Sequence, residues 1–210
     1  RLTNLASGEF GQAWKDKGGY VQARLQLKAG QRDQAKQSFS RLASGAATPN
    51  IRHLASCGEA ACDLLANSAD SARRKFQAVV GARDAGAEAK GWAWKGLGDV
   101  QKTQAPEDAL TAYLRSFLLY PSNPEARAAA TGAAEVSQAL SLGAEQRLGA
   151  IARSPMNWGD FSGGQAEAEL MRRALQFVSA ALVQRLAPAL ANKATGEEKA
   201  ELEFLAADAL

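Results

Sequence analysis

The chain has 210 residues with 25 lysines and arginines, 22 aspartates and glutamates and one histidine, a formal charge of +3 at pH 7. It carries 46 alanines against nine valines and isoleucines together. Helices favour alanine and strands favour β-branched side chains, so a sheet-based fold is excluded, and with it most cofactor-binding α/β architectures. A charge this balanced leaves no electrostatic footprint for nucleic acid, and no apolar run reaches the roughly 18 residues that a membrane span needs.

The chain opens at Arg1 without a hydrophobic leader. It therefore reads as a processed or trimmed product, with the compartment open between the cytoplasm and an exported or periplasmic location. Phe10 and Trp14, four apart, mark residues 1–15 as an N-terminal cap or the end of a preceding helical unit. A first helix is expected from about Lys17 to Ala29 with Gly30 in the turn, and another from about Asn50 to Ala66 with Asn67 and Ser68 in the turn. Cys57 and Cys62 fall five apart on that second helix, where they point in different directions and cannot bridge. His53 is the only histidine, so a tetrahedral metal site lacks ligands, and the thiols read as small buried-type side chains. The densest basic cluster, Arg73-Arg74-Lys75, reads as a solvated helix face.

Three segments align without gaps: 34–39, 71–76 and 108–113. Their alanines, Ala35, Ala72 and Ala109, are 37 residues apart, and so are their aromatics, Phe39, Phe76 and Tyr113. Three residues on come Leu42, Val79 and Ser116. Each set lies along one helical stripe, the alanine admitting a neighbouring helix and the aromatic filling the space beside it. One such helix cannot bury its stripe alone, so the units must stack.

Before the third copy stands Trp94-Lys95-Gly96-Leu97-Gly98, followed by Ala109, Tyr113 and Pro121. This resembles the tetratricopeptide repeat, whose pattern runs W-x2-L-G-x2-Y, then alanine, an aromatic and a closing proline. Gln101 replaces the usual tyrosine, and the turn around Gln104-Ala105-Pro106 is one residue short. Pro121 ends a helix, while Ser122, Pro124 and Glu125 start the next. A fourth copy follows through Gly132, Ala144, Leu148, Ile151 and Pro155, and the small first-helix positions of the first two copies are Ala23 and Ala60. Farther on, Ala200, Phe204 and Ala207 repeat the second-helix stripe, with Thr195 and Glu198 as a capping box. The helix before it, from Gln165 to about Arg185, is long for a first helix and is ended or kinked by Pro188.

The resemblance implies an all-α fold, an α-solenoid wound as a right-handed superhelix of about four helix-turn-helix repeats over residues 16–155. Residues 156–210 then form a loop and a C-terminal helix pair, a degenerate repeat or cap. The alanine-rich copies resemble those of long bacterial arrays. In such arrays first helices floor a concave groove. Carried over by position, that floor holds Lys17, Tyr20, Arg24, Leu27 and Lys28, then Leu54, Cys57, Ala61, Leu64 and Leu65. Next come Trp92, Lys95, Asp99, Lys102 and Thr103, and last a nearly featureless stretch of Ala126, Ala129, Ala133, Val136 and Ser137.

The resemblance thus implies a protein or peptide partner, with Tyr20, Arg24, Cys57, Ala61, Trp92, Lys95, Asp99 and Lys102 as the peptide-binding set. An acidic segment suits Arg24 as a fork and Lys95 as a point charge, with Trp92 for stacking area; ordinary solvated groove residues, with Trp92 packed on a neighbouring helix, are the alternative. Trp94 falls at a repeat-core position. The subclass that clamps C-terminal carboxylates needs Lys and Asn in its first repeat and Lys and Arg in its third. Those places hold Tyr20, Arg24, Trp92 and Gly96, or one repeat later Cys57, Ala61, Ala126 and Ala130, so that ligand is not expected.

The stretch 154–164, with Trp158 and Phe161, is a long loop that either covers the core or makes a contact surface. For catalysis the chain offers one histidine and neither a phosphate-binding glycine loop nor a nucleophile elbow. The acidic pairs Glu107-Asp108 and Glu197-Glu198 sit in helix first turns, where the dipole favours them. The expectation is a scaffold without cofactor or metal. Its rival is a structural module that uses the convex face or the array ends with the groove empty.

Overall fold

The computed structural model describes residues 9–120, 123–140, 168, 172, 183, 184, 187, 188, 191, 192 and 194–210. Every regular element among them is a helix: α1 (Glu9–Lys28), α2 (Arg32–Gly45), α3 (Pro49–Leu65), α4 (Ala69–Gly81), α5 (Ala87–Gln101), α6 (Pro106–Leu119), α7 (Ala126–Leu140) and α8 (Gly196–Asp208). The protein is all-α, as its alanine content dictates. Among the described residues no helix is long and apolar enough to cross a membrane. Pro121, Ser122, the second helix of the fourth copy, the loop with Trp158 and Phe161, and most of the long helix after it lie outside the described residues.

Two compact units divide the chain, Arg1–Gly132 and Ala133–Leu210. In the first, each of α1 to α5 packs on the next, and α1 also meets α3 and α3 meets α5 across the helix between them. Residues 9–15 do not form a separate helix: α1 runs unbroken through residue 15. Two of the turns repeat in detail. Gly30 (φ 76°) and Asn67 (φ 58°) take left-handed conformations. Gln31 N–H then donates to the Gln26 carbonyl, and Ser68 N–H to the Asp63 carbonyl, each at 2.9 Å. That six-to-one bond closes the helix end and reverses the chain.

The repeated stripe is buried. Ala35, Ala72 and Ala109 are fully enclosed, and so in effect are Phe39, Phe76 and Tyr113. Each ring lies on the backbone of the following odd-numbered helix at a glycine. A Cβ on Gly58 would come 2.5 Å from the Phe39 ring, one on Gly96 2.2 Å from Phe76, and one on Gly132 2.6 Å from Tyr113. Real Cβ contacts are never this short, and a ring packed on all sides has nowhere to retreat. Glycine is required at these joints for room.

An ionic cluster gathered on the buried Asp63 adds to the apolar packing. Asp63 of α3 takes Lys36 Nζ of α2 at 2.6 Å, Lys75 Nζ of α4 at 2.6 Å and the Ser71 hydroxyl at 2.8 Å. Lys75 also reaches Glu59 at 2.6 Å. Burial alone would raise the Asp63 pKa, but the hydrogen bonds from Lys36, Lys75 and Ser71 outweigh it and hold it at about 2.

In the second unit, Thr195 stands at the N-cap of α8 and its side chain makes no capping hydrogen bond, so the expected capping box does not form. The stripe at Ala200, Phe204 and Ala207 is also misplaced. Leu202, Leu205 and Ala209 are buried instead, and Phe204 is 65% exposed. Two leucines at i and i+3 bring more apolar area than the alanine pair, and the helix turns that side inward. Pro188 lies in a helical turn, its carbonyl accepting from Asn192 N–H at 3.1 Å.

Two predictions follow from this packing. Gly58→Ala should destabilise the fold by about 1–3 kcal/mol through overpacking against Phe39, whereas Gly18→Ala, in open space within α1, should stabilise it by up to about 1 kcal/mol. Urea unfolding of both variants reads the two signs. The Asp63 cluster predicts an acid limb. Its stabilisation is complete above the unfolded aspartate pKa of about 3.9 and is lost as pH falls through the folded value of about 2. Asp63→Asn should be less stable than wild type near neutral pH, with a smaller loss across that acid window.

Candidate functional site

The odd-numbered helices bring much of the expected groove set together. Arg24 of α1, Ala61 of α3, and Trp92, Lys95 and Asp99 of α5 line one cleft of about 310 Å³, closed at one side by Glu125 just before α7. Arg24 is its centre. Its Nη2 donates to Glu125 Oε1 at 2.7 Å, and its guanidinium lies 4.9 Å from the Trp92 ring centroid. Both charged side chains are half-buried, where a charge-assisted bond and a cation–π contact gain from reduced screening.

Trp92 is only 5% exposed. Arg24 lies over the ring, and Tyr20 packs with it in a T-shaped arrangement, 6.4 Å away between centroids. The ring therefore holds Arg24 in position and offers little open stacking area. Tyr20 also packs on Phe39 at 6.2 Å, and its buried hydroxyl has no hydrogen-bond partner among the described residues. Burial raises its pKa well above the phenol's ordinary value, with the charge of Arg24 opposing it.

Lys95 Nζ reaches Asp99 Oδ2 at 2.6 Å one helical turn on, and Asp99 Oδ1 accepts from the Tyr113 hydroxyl at 2.8 Å. That chain anchors the lysine to a core tyrosine. Cys57 does not reach the cleft: it is completely buried, its Sγ lies 3.5 Å from the Ala89 carbonyl, and burial drives its pKa far above the thiol range. Lys102 caps the C-terminal end of α5 and is exposed, outside the cleft lining. Ala129, Ala133 and Val136 are buried rather than a floor. Trp94 is half-buried beneath Arg115, whose guanidinium lies 4.6 Å from its ring centroid.

A second cleft of about 760 Å³ opens along α1. Trp14, Val21, Leu25, Ile51 and Leu54 make its apolar wall, and Lys17, Arg24 and Lys28 its basic edge. His53 bonds Asp84 Oδ1 at 2.9 Å and lines neither cleft. Among the described residues no group of three or more His, Cys, Asp and Glu side chains is placed to hold a metal.

Sequence reasoning missed Glu125. Its position before α7 suggests a helix-start role, yet its side chain goes to Arg24, and its backbone N–H is capped by Asn123 Oδ1 at 2.8 Å. No local signal links two residues 101 apart. A double-mutant cycle of Arg24→Ala and Glu125→Ala, read by urea unfolding, should give a coupling energy of about 1 kcal/mol, at the top of the range for partly exposed pairs. Additive losses would show that the pair contributes nothing. Compared with protein-family models, curated proteins and solved structures, the chain matches none of them.

Proposed function

We propose that the chain is a non-enzymatic scaffold of tetratricopeptide type, an α-solenoid of stacked helix pairs that binds a protein or peptide segment along the face of α1, α3 and α5. The stacking is supported by the 37-residue spacing of the buried alanines and aromatics, by the matched turns at Gly30 and Asn67, and by the contacts of α1 with α3 and α3 with α5. The observation that carries the binding role is the cleft in which Arg24, Ala61, Trp92, Lys95 and Glu125 meet from four separate stretches of chain. A cleft built this way reads a ligand by position across several helices.

The chemistry favours a carboxylate-bearing ligand. Glu125 already shows how a carboxylate sits on Arg24. An acidic side chain of the partner replaces Glu125, takes the Arg24 fork and leaves the guanidinium on Trp92. Lys95, steadied by Asp99, adds a second positive centre. Leu27, Leu64 and Leu65 in the same cleft suit apolar neighbours of that acidic group.

A second reading has its own support. Arg24 and Lys95 are both paired within the chain, which suits a structural module whose groove stays empty and whose contacts lie elsewhere. Affinity capture from native extract separates the two. Under the binding reading, Arg24→Glu/Lys95→Glu loses a partner that wild type retains, and Glu125→Gln holds that partner more tightly. A partner kept equally by all three proteins refutes the groove.

A further inference from the structure

We infer that the outer face of α1 is a second docking site, built for an acidic amphipathic helix of a partner protein. The inference does not depend on the groove reading. Trp14, Val21 and Leu25 follow one another at steps of seven and four along α1, which sets them on one stripe within about 40° of helical rotation. They are 68%, 50% and 62% exposed. Three large apolar side chains on a single exposed stripe mark an interaction surface rather than scattered surface residues.

The internal register shows what shape this face receives. Steps of 37 and 38 residues carry Trp14 onto Ile51 and Ala89, Val21 onto Gly58 and Gly96, and Leu25 onto Cys62 and Val100. All six of those positions are buried. On α3 and α5 this is the side against which α2 and α4 pack, with Phe39 on Gly58 and Phe76 on Gly96. The exposed stripe of α1 therefore corresponds to a surface that elsewhere in the unit accepts a helix.

Two departures from that register define the occupant. Val21 stands where glycine admits an aromatic ring, and its side chain fills the ring's place. A helix carrying the repeat aromatic does not fit, and neither does the exposed Phe204 of a second copy; the partner helix presents alanine or glycine there. Lys17 and Lys28 stand where the next copy has Leu54 and Leu65. Both lysines line the same cleft as the stripe, together with Arg24, against Glu88 as the one acid in the lining. An apolar stripe edged by these two lysines, with Arg24 already held by Glu125, selects glutamates or aspartates beside the partner's own stripe.

The test uses the full chain and two synthetic helical peptides with one leucine–alanine stripe, flanked in one by glutamates and in the other by lysines. Fluorescence anisotropy should show the glutamate peptide binding at least about tenfold more tightly, with affinity falling as salt rises. Leu25→Lys, at an exposed position, should remove that binding while leaving the thermal melt unchanged. Lys17→Glu, at a position that lines this cleft and not the groove cleft, should remove the preference between the peptides, which a merely structural role of the lysine would not do. Lys95→Glu, outside this cleft, should bind as wild type, so failure of the groove leaves this site standing. Equal binding of both peptides, or binding of neither, overturns the proposal. So does self-association in sedimentation that Leu25→Lys abolishes, because the face is then covered by a second copy.

Discussion

An aromatic ring pressed onto the backbone of the next helix is the contact on which the first unit depends. Phe39, Phe76 and Tyr113 each leave an even-numbered helix and lie on Gly58, Gly96 and Gly132 of the following odd-numbered one. The ring fills what would otherwise be a gap between pairs. The missing Cβ lets it sit against main chain, and fully burying an aromatic side chain contributes about 1.5–3 kcal/mol. Because that contact joins each pair to the next, it also sets where α1, α3 and α5 stand relative to one another. The position of Arg24 over Trp92 is a consequence.

Charge is handled conservatively within this frame. Asp63 gathers Lys36 and Lys75, Glu125 holds Arg24, and Asp99 holds Lys95. Helices so rich in alanine and leucine leave few polar partners in the interior, and each of these cations is met by a carboxylate there, whereas the half-buried Arg115 lies on the Trp94 ring instead. Any acidic ligand at the cleft competes with an internal carboxylate, which lowers affinity and raises selectivity for a ligand that brings apolar contacts as well. The α1 face differs in kind: Lys17 and Lys28 border apolar surface on a helix whose counterparts are enclosed.

Much of the fold was legible because helical periodicity is local. The spacing of Ala35, Phe39 and their counterparts located the buried stripes of α2, α4 and α6, and Gly30 and Asn67 marked two turns by their tolerance of positive φ. The same reasoning failed at α8, where Ala200, Phe204 and Ala207 have the right spacing but a neighbouring leucine pair claims the interior. It also ran α1 too short, since nothing local distinguishes a helix start at residue 17 from one at residue 9. Of the groove set, position alone brought Arg24, Ala61, Trp92, Lys95 and Asp99 to one cleft, but it could not say that Cys57 would be enclosed or that Trp92 would be spent on Arg24.

By itself the sequence determined the helical class, the 37-residue register and the sides of α2, α4 and α6 that turn inward, since these follow from side-chain size and spacing within a few turns. Only the tertiary structure decided which glycine receives which ring, that Glu125 closes on Arg24 across 101 residues, and that Trp14, Val21 and Leu25 are left uncovered. Those outcomes depend on how helices distant in sequence approach one another, and the distances that govern ion pairing, burial and steric room exist only once they have packed.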